Sequence, residues 1–96
     1  MDKLKRQFIR LFDLPADIIM DLPLLLLVFD NKLYLENHKG ISYFQSEEIK
    51  VKIKNGFIIL QGKDLSICEI NRETLTISGK IFSISYELRK GGDRVE

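Results

Sequence analysis

The chain has 96 residues, 45% hydrophobic and 30% charged, with a formal net charge of +1. That length allows one domain with a modest core, and the near-neutral balance excludes a global field that would draw the chain onto nucleic acid or a membrane. The single cysteine, Cys68, excludes an intramolecular disulfide and a metal site built on paired thiolates, and it suits a reducing compartment.

The N-terminus, MDKLKRQFIRLF, lacks the apolar run and cleavage site of a signal peptide. The longest apolar run, Leu24 to Phe29, is too short to span a bilayer, so a soluble cytoplasmic protein is expected. Residues 2–12 read as a short amphipathic helix with Leu4, Phe8, Leu11 and Phe12 on one face. Asp2 is its N-cap, and Lys3, Lys5, Arg6 and Arg10 occupy much of the remaining surface. Two roles stay open: the apolar face packs on the domain, or the basic segment, through Lys3, Arg6 and Arg10, docks on a membrane surface or a partner. Asp13-Leu14-Pro15 ends the helix, because the residue before proline is pushed out of helical geometry.

Asp17 to Asp21 reads as a short extended segment, followed by a buried strand from Leu24 to Asp30. Asp30-Asn31-Lys32 is a tight turn, since Asp and Asn tolerate left-handed geometry, and Leu33 to Glu36 pairs back. Asn37-His38-Lys39-Gly40 is a second turn, Ile41 to Phe44 a third strand, and Gln45 to Glu48 a polar connection. Ile49 to Lys54 has the cleanest alternation in the chain, with Lys50, Lys52 and Lys54 on one side. Asn55-Gly56 is a strong signal for a type I′ hairpin.

From Gly56 to Tyr86 one phrase occurs twice. Ile58, Leu60, Gly62, Lys63, Leu65 and Ile67 are matched by Leu75, Ile77, Gly79, Lys80, Phe82 and Ile84, each 17 positions on. Each copy reads as strand, Gly-Lys turn, strand, giving four strands at 57–61, 65–70, 74–78 and 81–87. The predicted fold is mainly β: a short N-terminal helix followed by a sandwich or small barrel of seven or eight antiparallel strands. A short β-solenoid is the alternative that the 17-residue offset raises. Residues 1–88 form the single domain, and 89–96 are a flexible charged tail.

Catalytic, cofactor-binding and metal-ligating constellations are not legible. His38, the lone histidine, reads as a solvated turn residue, and Cys68 as a buried, inert thiol inside an alternating strand. The carboxylates Glu36, Glu47, Glu48, Asp64, Glu69 and Glu73 have no spacing that implies metal ligation. Gly62-Lys63 and Gly79-Lys80 are too short for phosphate loops and read as turns. Lys50, Lys52 and Lys54 with Tyr43 and Phe44 give an alternative reading, a small barrel binding single-stranded nucleic acid. Against it stands the reading of a solvated face whose lysines discourage edge pairing, which the net charge favours.

Three stretches carry a family resemblance: Leu11-Phe12-Asp13-Leu14-Pro15, Asp21-Leu22-Pro23, and Leu33-Tyr34-Leu35-Glu36-Asn37-His38-Lys39-Gly40-Ile41. It continues through Gly62-Lys63 to Ile77-Ser78-Gly79-Lys80-Ile81-Phe82-Ser83-Ile84-Ser85-Tyr86. In this order and spacing, over about residues 4–87, the chain resembles the YabP/YqfC family of sporulation proteins, nearest its YqfC branch; Phe82 departs from a more polar family position. The resemblance implies a non-enzymatic protein without cofactor or small-molecule substrate. It would act in the mother cell during spore formation, by contact with a protein partner or as a homo-oligomer. A peripheral position at the forespore membrane through the basic helix fits the same setting.

Overall fold

The computed structural model describes residues 2–13 and 22–89, the first four of them as backbone only. The expected extended segment at Asp17 to Asp21, the Lys3 side chain and most of the 89–96 tail lie outside the described residues.

The order of elements is α1 (Asp2–Phe12), β1 (Leu24–Val28), β2 (Lys32–Glu36), β3 (Ile41–Gln45), β4 (Glu48–Ile53), β5 (Gly56–Ile70) and β6 (Thr74–Leu88). The strands form one sheet in the order β1-β2-β6-β5-β4-β3, with every neighbouring pair antiparallel. The end strands β1 and β3 do not pair with each other, so the sheet is not a closed barrel. Antiparallel pairing throughout likewise rules out the parallel stacking of solenoid coils.

Among the described residues six strands stand where seven or eight were expected, and the Gly-Lys phrases account for the difference. Neither is a turn. Each lies inside a 15-residue strand, at the point where β5 and β6 bend together. The first half of β5 pairs with β4 and with the second half of β6; the second half pairs only with the first half of β6, which in turn pairs with β2. The long hairpin therefore serves two half-sheets, and the two halves share one core. Leu33, Leu35, Leu75 and Ile77 come from one half, and Ile49, Val51, Ile53, Ile58 and Leu60 from the other; Leu65 and Ile81 fill the bend. A single layer cannot bring Leu35, Ile49 and Leu60 to zero exposure, so the halves must cover each other. Each such side chain contributes about 1.5–3 kcal/mol by leaving water.

The bend depends on two glycines. A Cβ on Gly62 would collide with the carbonyl oxygen of Lys80. One on Gly79 would lie 2.5 Å from the carbonyl oxygen of Asp64, and Gly79 also has φ +128°. The ladder is broken here, and the neighbouring hairpin turns satisfy the backbone donors it releases. Gly62 and Leu65 donate to the carbonyls of Glu47 and Ser46 in the β3–β4 turn, at 3.0 and 2.9 Å. Gly79 and Ile81 donate to those of Asn31 and Asp30 in the β1–β2 turn, at 3.3 and 2.7 Å. The sequence repeat thus becomes an approximate two-fold: β3–β4 braces the bend of β5 as β1–β2 braces that of β6.

The two copies differ by one residue at the bend. Between Lys63 and Ser66, β5 carries one residue more than its partner strand, and Asp64 there has φ +55°. In β6 the extra residue is Phe82, which falls between the pairs Gly62–Ile81 and Gln61–Ser83. A one-residue slip reverses which face a side chain meets. Leu65 is therefore buried, while its sequence match Phe82 is 65% exposed and Ile81 takes the buried place.

The hairpin expected at Asn55-Gly56 is present one position earlier. Ile53 pairs with Gly56, so the loop residues are Lys54 and Asn55, and Asn55 has φ +69°.

Candidate functional site

The segment Leu33–Ile41 runs through β2 into the loop that leads to β3. His38 in this loop is 6% exposed, which corrects the expectation of a solvated residue. Its Nδ1 accepts from the Gly40 N–H at 2.9 Å, which leaves the proton on Nε2. Nε2 faces the carbonyls of Asn71 at 2.9 Å and Thr74 at 3.2 Å, both at the β5–β6 turn. The imidazole is a clamp between two loops distant in sequence, and both of its nitrogens are occupied. Asn37 N–H adds a 2.6 Å bond to the Glu73 carbonyl, and Asn71 N–H a 2.8 Å bond to that of Thr74. The other side of the loop is fixed to β4, with Lys39 N–H donating to Lys52 and Lys52 N–H to Gly40. Between the clamped loops lies an open, polar cavity of about 450 Å³ whose charged lining residues are Lys39, Arg72 and Glu73.

Beside the clamp, Glu36 is 4% exposed and accepts a 2.9 Å hydrogen bond from the Tyr34 hydroxyl. Burial, then this bond and the negative charges of Glu36 and Glu69, push the Tyr34 phenol up to about 12. The pair holds a proton firmly; it does not offer one. Among the described residues there is no group of three His, Cys, Asp or Glu side chains that could hold a metal ion.

The expected lysine stripe is divided. Lys50 and Lys52 alternate with buried Ile49, Val51 and Ile53 and share the outer face of β4. Lys54 lies beyond the strand, in the turn. Cross-strand neighbours on that outer face include Tyr43, Phe57 and Ile59. Lys50 stands 3.9 Å from Glu87, and Glu48 belongs to the same face, so carboxylates interleave with the cations. Phe44 pairs with Ile49, on the other face from Tyr43. Cys68 is exposed, which corrects the buried reading: it is an extra residue between the pairs Ile67–Ile77 and Glu69–Thr76, and its thiol donates to Ser78 Oγ at 3.0 Å.

On α1 the Arg6 and Arg10 side chains are exposed, but so are Leu11 at 72% and Phe12 at 60%. Phe8 stacks on Phe12 with centroids 6.0 Å apart. The outer end of the apolar stripe is therefore not laid on the sheet. Among the described residues no helix is long and apolar enough to cross a membrane.

An unpartnered edge among the described residues lies along the second half of β6. Beyond Ile81 no described strand pairs with its outer side. Phe82, Tyr86 and Leu88 along it are 65%, 61% and 62% exposed. The β1–β2 turn, with Val28 at 65% and Phe29 at 82% exposure, abuts the start of this edge through the Asp30–Ile81 hydrogen bond. Of these, sequence reasoning placed Val28 and Phe29 in a buried strand, which their exposure corrects, because an apolar run does not say whether a neighbour covers it. The readable signal was Ile81, apolar where the first copy has Asp64, which sets two apolar residues side by side and breaks the alternation of the second copy.

The sequence profile of the YabP family matches residues 24–93. The chain is also 32% identical over 85 residues to the uncharacterized protein YqfC of Bacillus subtilis (strain 168), an alignment covering 88% of this chain and 91% of that one. The matched span holds all six strands, the His38 clamp and both glycine bends, and on these grounds the chain belongs to the YabP family.

Proposed function

We propose that this protein serves endospore formation as a non-enzymatic contact domain, working in the mother cell by binding protein through the open edge of β6. The observation that carries the reading is that edge: a strand whose outer side no described strand pairs, with three large apolar side chains more than half exposed. Family membership supports the spore-forming setting. The polar groups that looked most like chemistry, His38 and the Tyr34–Glu36 pair, are used up in holding loops and sheet together.

Affinity capture from sporulating cells tests this, with wild type and Tyr86→Lys as baits. A partner retained by wild type and lost by the variant is expected. Equal recovery by both baits, or none by either from the chain in any assembly state, would sink the reading.

A second reading, compatible with the first, is peripheral attachment to the forespore membrane through α1. It is favoured by the exposed Leu11 and Phe12 beside Arg6 and Arg10. Deleting residues 2–12 should move the protein out of the membrane fraction, and unchanged partitioning rejects it. The nucleic-acid reading has less support, because Glu48 and Glu87 sit among the lysines on the outer face of β4.

A further inference from the structure

Among the described strands, the open edges are not alike. The second half of β5 is interrupted by the extra residue Cys68 and carries Glu69, both of which discourage pairing. β3 carries a register shift between Ile41 and Tyr43. By contrast, β6 runs in unbroken register with β5 from Ser83 to Leu88, without proline or lysine; the five-residue end strand β1 is as regular, but β6 carries three large apolar side chains, Phe82, Tyr86 and Leu88, more than 60% exposed.

The direction of its backbone groups follows from one bond. Arg89 N–H donates to Asn55, on the β5 side, at 2.6 Å. Alternation then turns Glu87, Ser85 and Ser83 toward β5, and leaves the N–H and C=O of Ile84, Tyr86 and Leu88 aimed outward.

The geometry points to a second copy of this chain as the occupant of the edge, its β6 lying antiparallel across a two-fold axis through Ser85. This deepens the protein-contact reading and rests on it. The axis is fixed by a steric limit. The β1–β2 turn covers the outer side of β6 through Ile81, where Asp30 accepts its N–H. A partner strand ending at Leu88 stays clear of that turn with the longest overlap only if its Leu88 falls opposite Phe82.

In this register Phe82 faces Leu88, Ser83 faces Glu87, Ile84 faces Tyr86 and Ser85 faces itself. Apolar residues meet only apolar ones, and the one charged side chain in the stretch, Glu87, meets a serine, so no like charges oppose each other. Each of the two symmetry-related Ile84–Tyr86 pairs exchanges two backbone hydrogen bonds, because both residues aim their groups outward. The pairing also covers Phe82, Tyr86 and Leu88, the large side chains this half of β6 leaves most exposed.

Ser85 makes the register testable. Residues meeting at a non-hydrogen-bonded antiparallel position have Cα atoms about 4.5 Å apart, at the near end of the disulfide range. In a Cys68→Ser background, Ser85→Cys is expected to give a disulfide-linked dimer on mild oxidation. Ser66→Cys, on the interrupted edge, is expected to give none. Light scattering after size exclusion should show twice the 11.2 kDa chain mass for wild type and the single mass for Tyr86→Lys. Tyr86 is mostly exposed, so that variant should keep the wild-type circular dichroism; Ser83→Lys is a second disrupting variant should it not. A wild-type monomer up to the solubility limit overturns the pairing, as does a dimer that Ser85→Cys fails to trap. If the chain is monomeric yet captures a cellular partner that Tyr86→Lys loses, self-pairing falls while the contact function stands.

Discussion

Alanine at three glycines separates the two physical demands of the bend. Gly40 has φ +118° but nothing within 4 Å of the place a Cβ would take, so Gly40→Ala carries torsional strain alone. Gly62 has no such φ, but its Cβ would run into the Lys80 carbonyl, so Gly62→Ala carries collision alone. Gly79→Ala carries both: φ +128°, Asp64 oxygen at 2.5 Å and Leu65 Cα at 2.8 Å. All the obstructing atoms named at Gly79 are backbone, which can move only by opening the ladder. Left-handed geometry costs a residue with a Cβ about 1–2 kcal/mol, and forced overpacking about 1–3 kcal/mol. The expected order is thus Gly40→Ala at about 1, Gly62→Ala at about 2–3 and Gly79→Ala at roughly 3–5 kcal/mol. A domain of this size holds about 5–15 kcal/mol in all, so the last variant should lose a large share of its stability. Urea unfolding followed by circular dichroism measures all three, the chain having no tryptophan. If Gly79→Ala proves as mild as Gly40→Ala, the two strands do not cross closely at Gly-Lys, and the phrase is an exposed turn after all.

The other predictions concern the loops and the sheet faces. His38→Ala strands the Gly40 N–H and removes the donor to Asn71 and Thr74, and should cost about 2–4 kcal/mol; a loss below about 1 kcal/mol would show the clamp to be idle. Nitrogen-15 spectra should find the imidazole proton on Nε2, and a proton on Nδ1 would contradict the Gly40 bond. Because the folded pKa of Tyr34 is raised from 10.0 to about 12, the stability held by the neutral phenol is complete below pH 10 and is lost as pH rises through about 12. An ultraviolet titration should show a tyrosine ionising near pH 12 that is absent in Tyr34→Phe; a titration that the substitution leaves unchanged there would refute it. Lys50→Ala should change stability by less than about 0.5 kcal/mol, since the 3.9 Å pair with Glu87 is exposed to solvent. A larger effect would mean that this face is covered in solution.

Much of the fold was legible because its signals are local. The helix at residues 2–12, the β1–β2 turn and the alternation of β4 each depend on neighbours within a few positions; the helix and the alternation stand where the sequence predicts them, and the turn stands one position earlier, at Phe29–Asn31, with Lys32 in β2. Gly-Lys was misread for a physical reason. Glycine marks both a turn and a place where another backbone comes close, and only the partner strand distinguishes them. The backbone that approaches Gly62 is that of Lys80, and the one that approaches Gly79 is that of Asp64, in each case from the other copy of the phrase. His38 failed in the same way: its acceptors, at Asn71 and Thr74, are more than 30 residues away, so nothing near it in sequence announces burial.

The doubled phrase also explains why the two bent strands end so differently. Two matching copies would have placed Leu65 and Phe82 in equivalent positions in the bend, and left two equivalent edges beyond it. Instead β5 takes its extra residue before Leu65 and another at Cys68, which buries the leucine and breaks up the edge that follows. β6 takes its only extra residue at Phe82 itself, which throws the phenylalanine out of the core and leaves Ser83 to Leu88 in regular register. An edge that is regular, apolar and uncharged but for Glu87 is the kind proteins ordinarily suppress. Here the same backbone step creates that edge and delivers Phe82 to it. A variant that deletes Phe82 should make the pairing of β6 with β5 strict, with Ile81 still opposite Gly62, Ser83 opposite Gln61 and Ile84 opposite Leu60, so that no side chain beyond the bulge changes face. It should fold as the wild type does, because Ile84 keeps its place at the core margin and Phe82 lies outside the core, and it should lose whatever binds the edge. Full binding by the folded variant would show that the bulge has no part in shaping the contact.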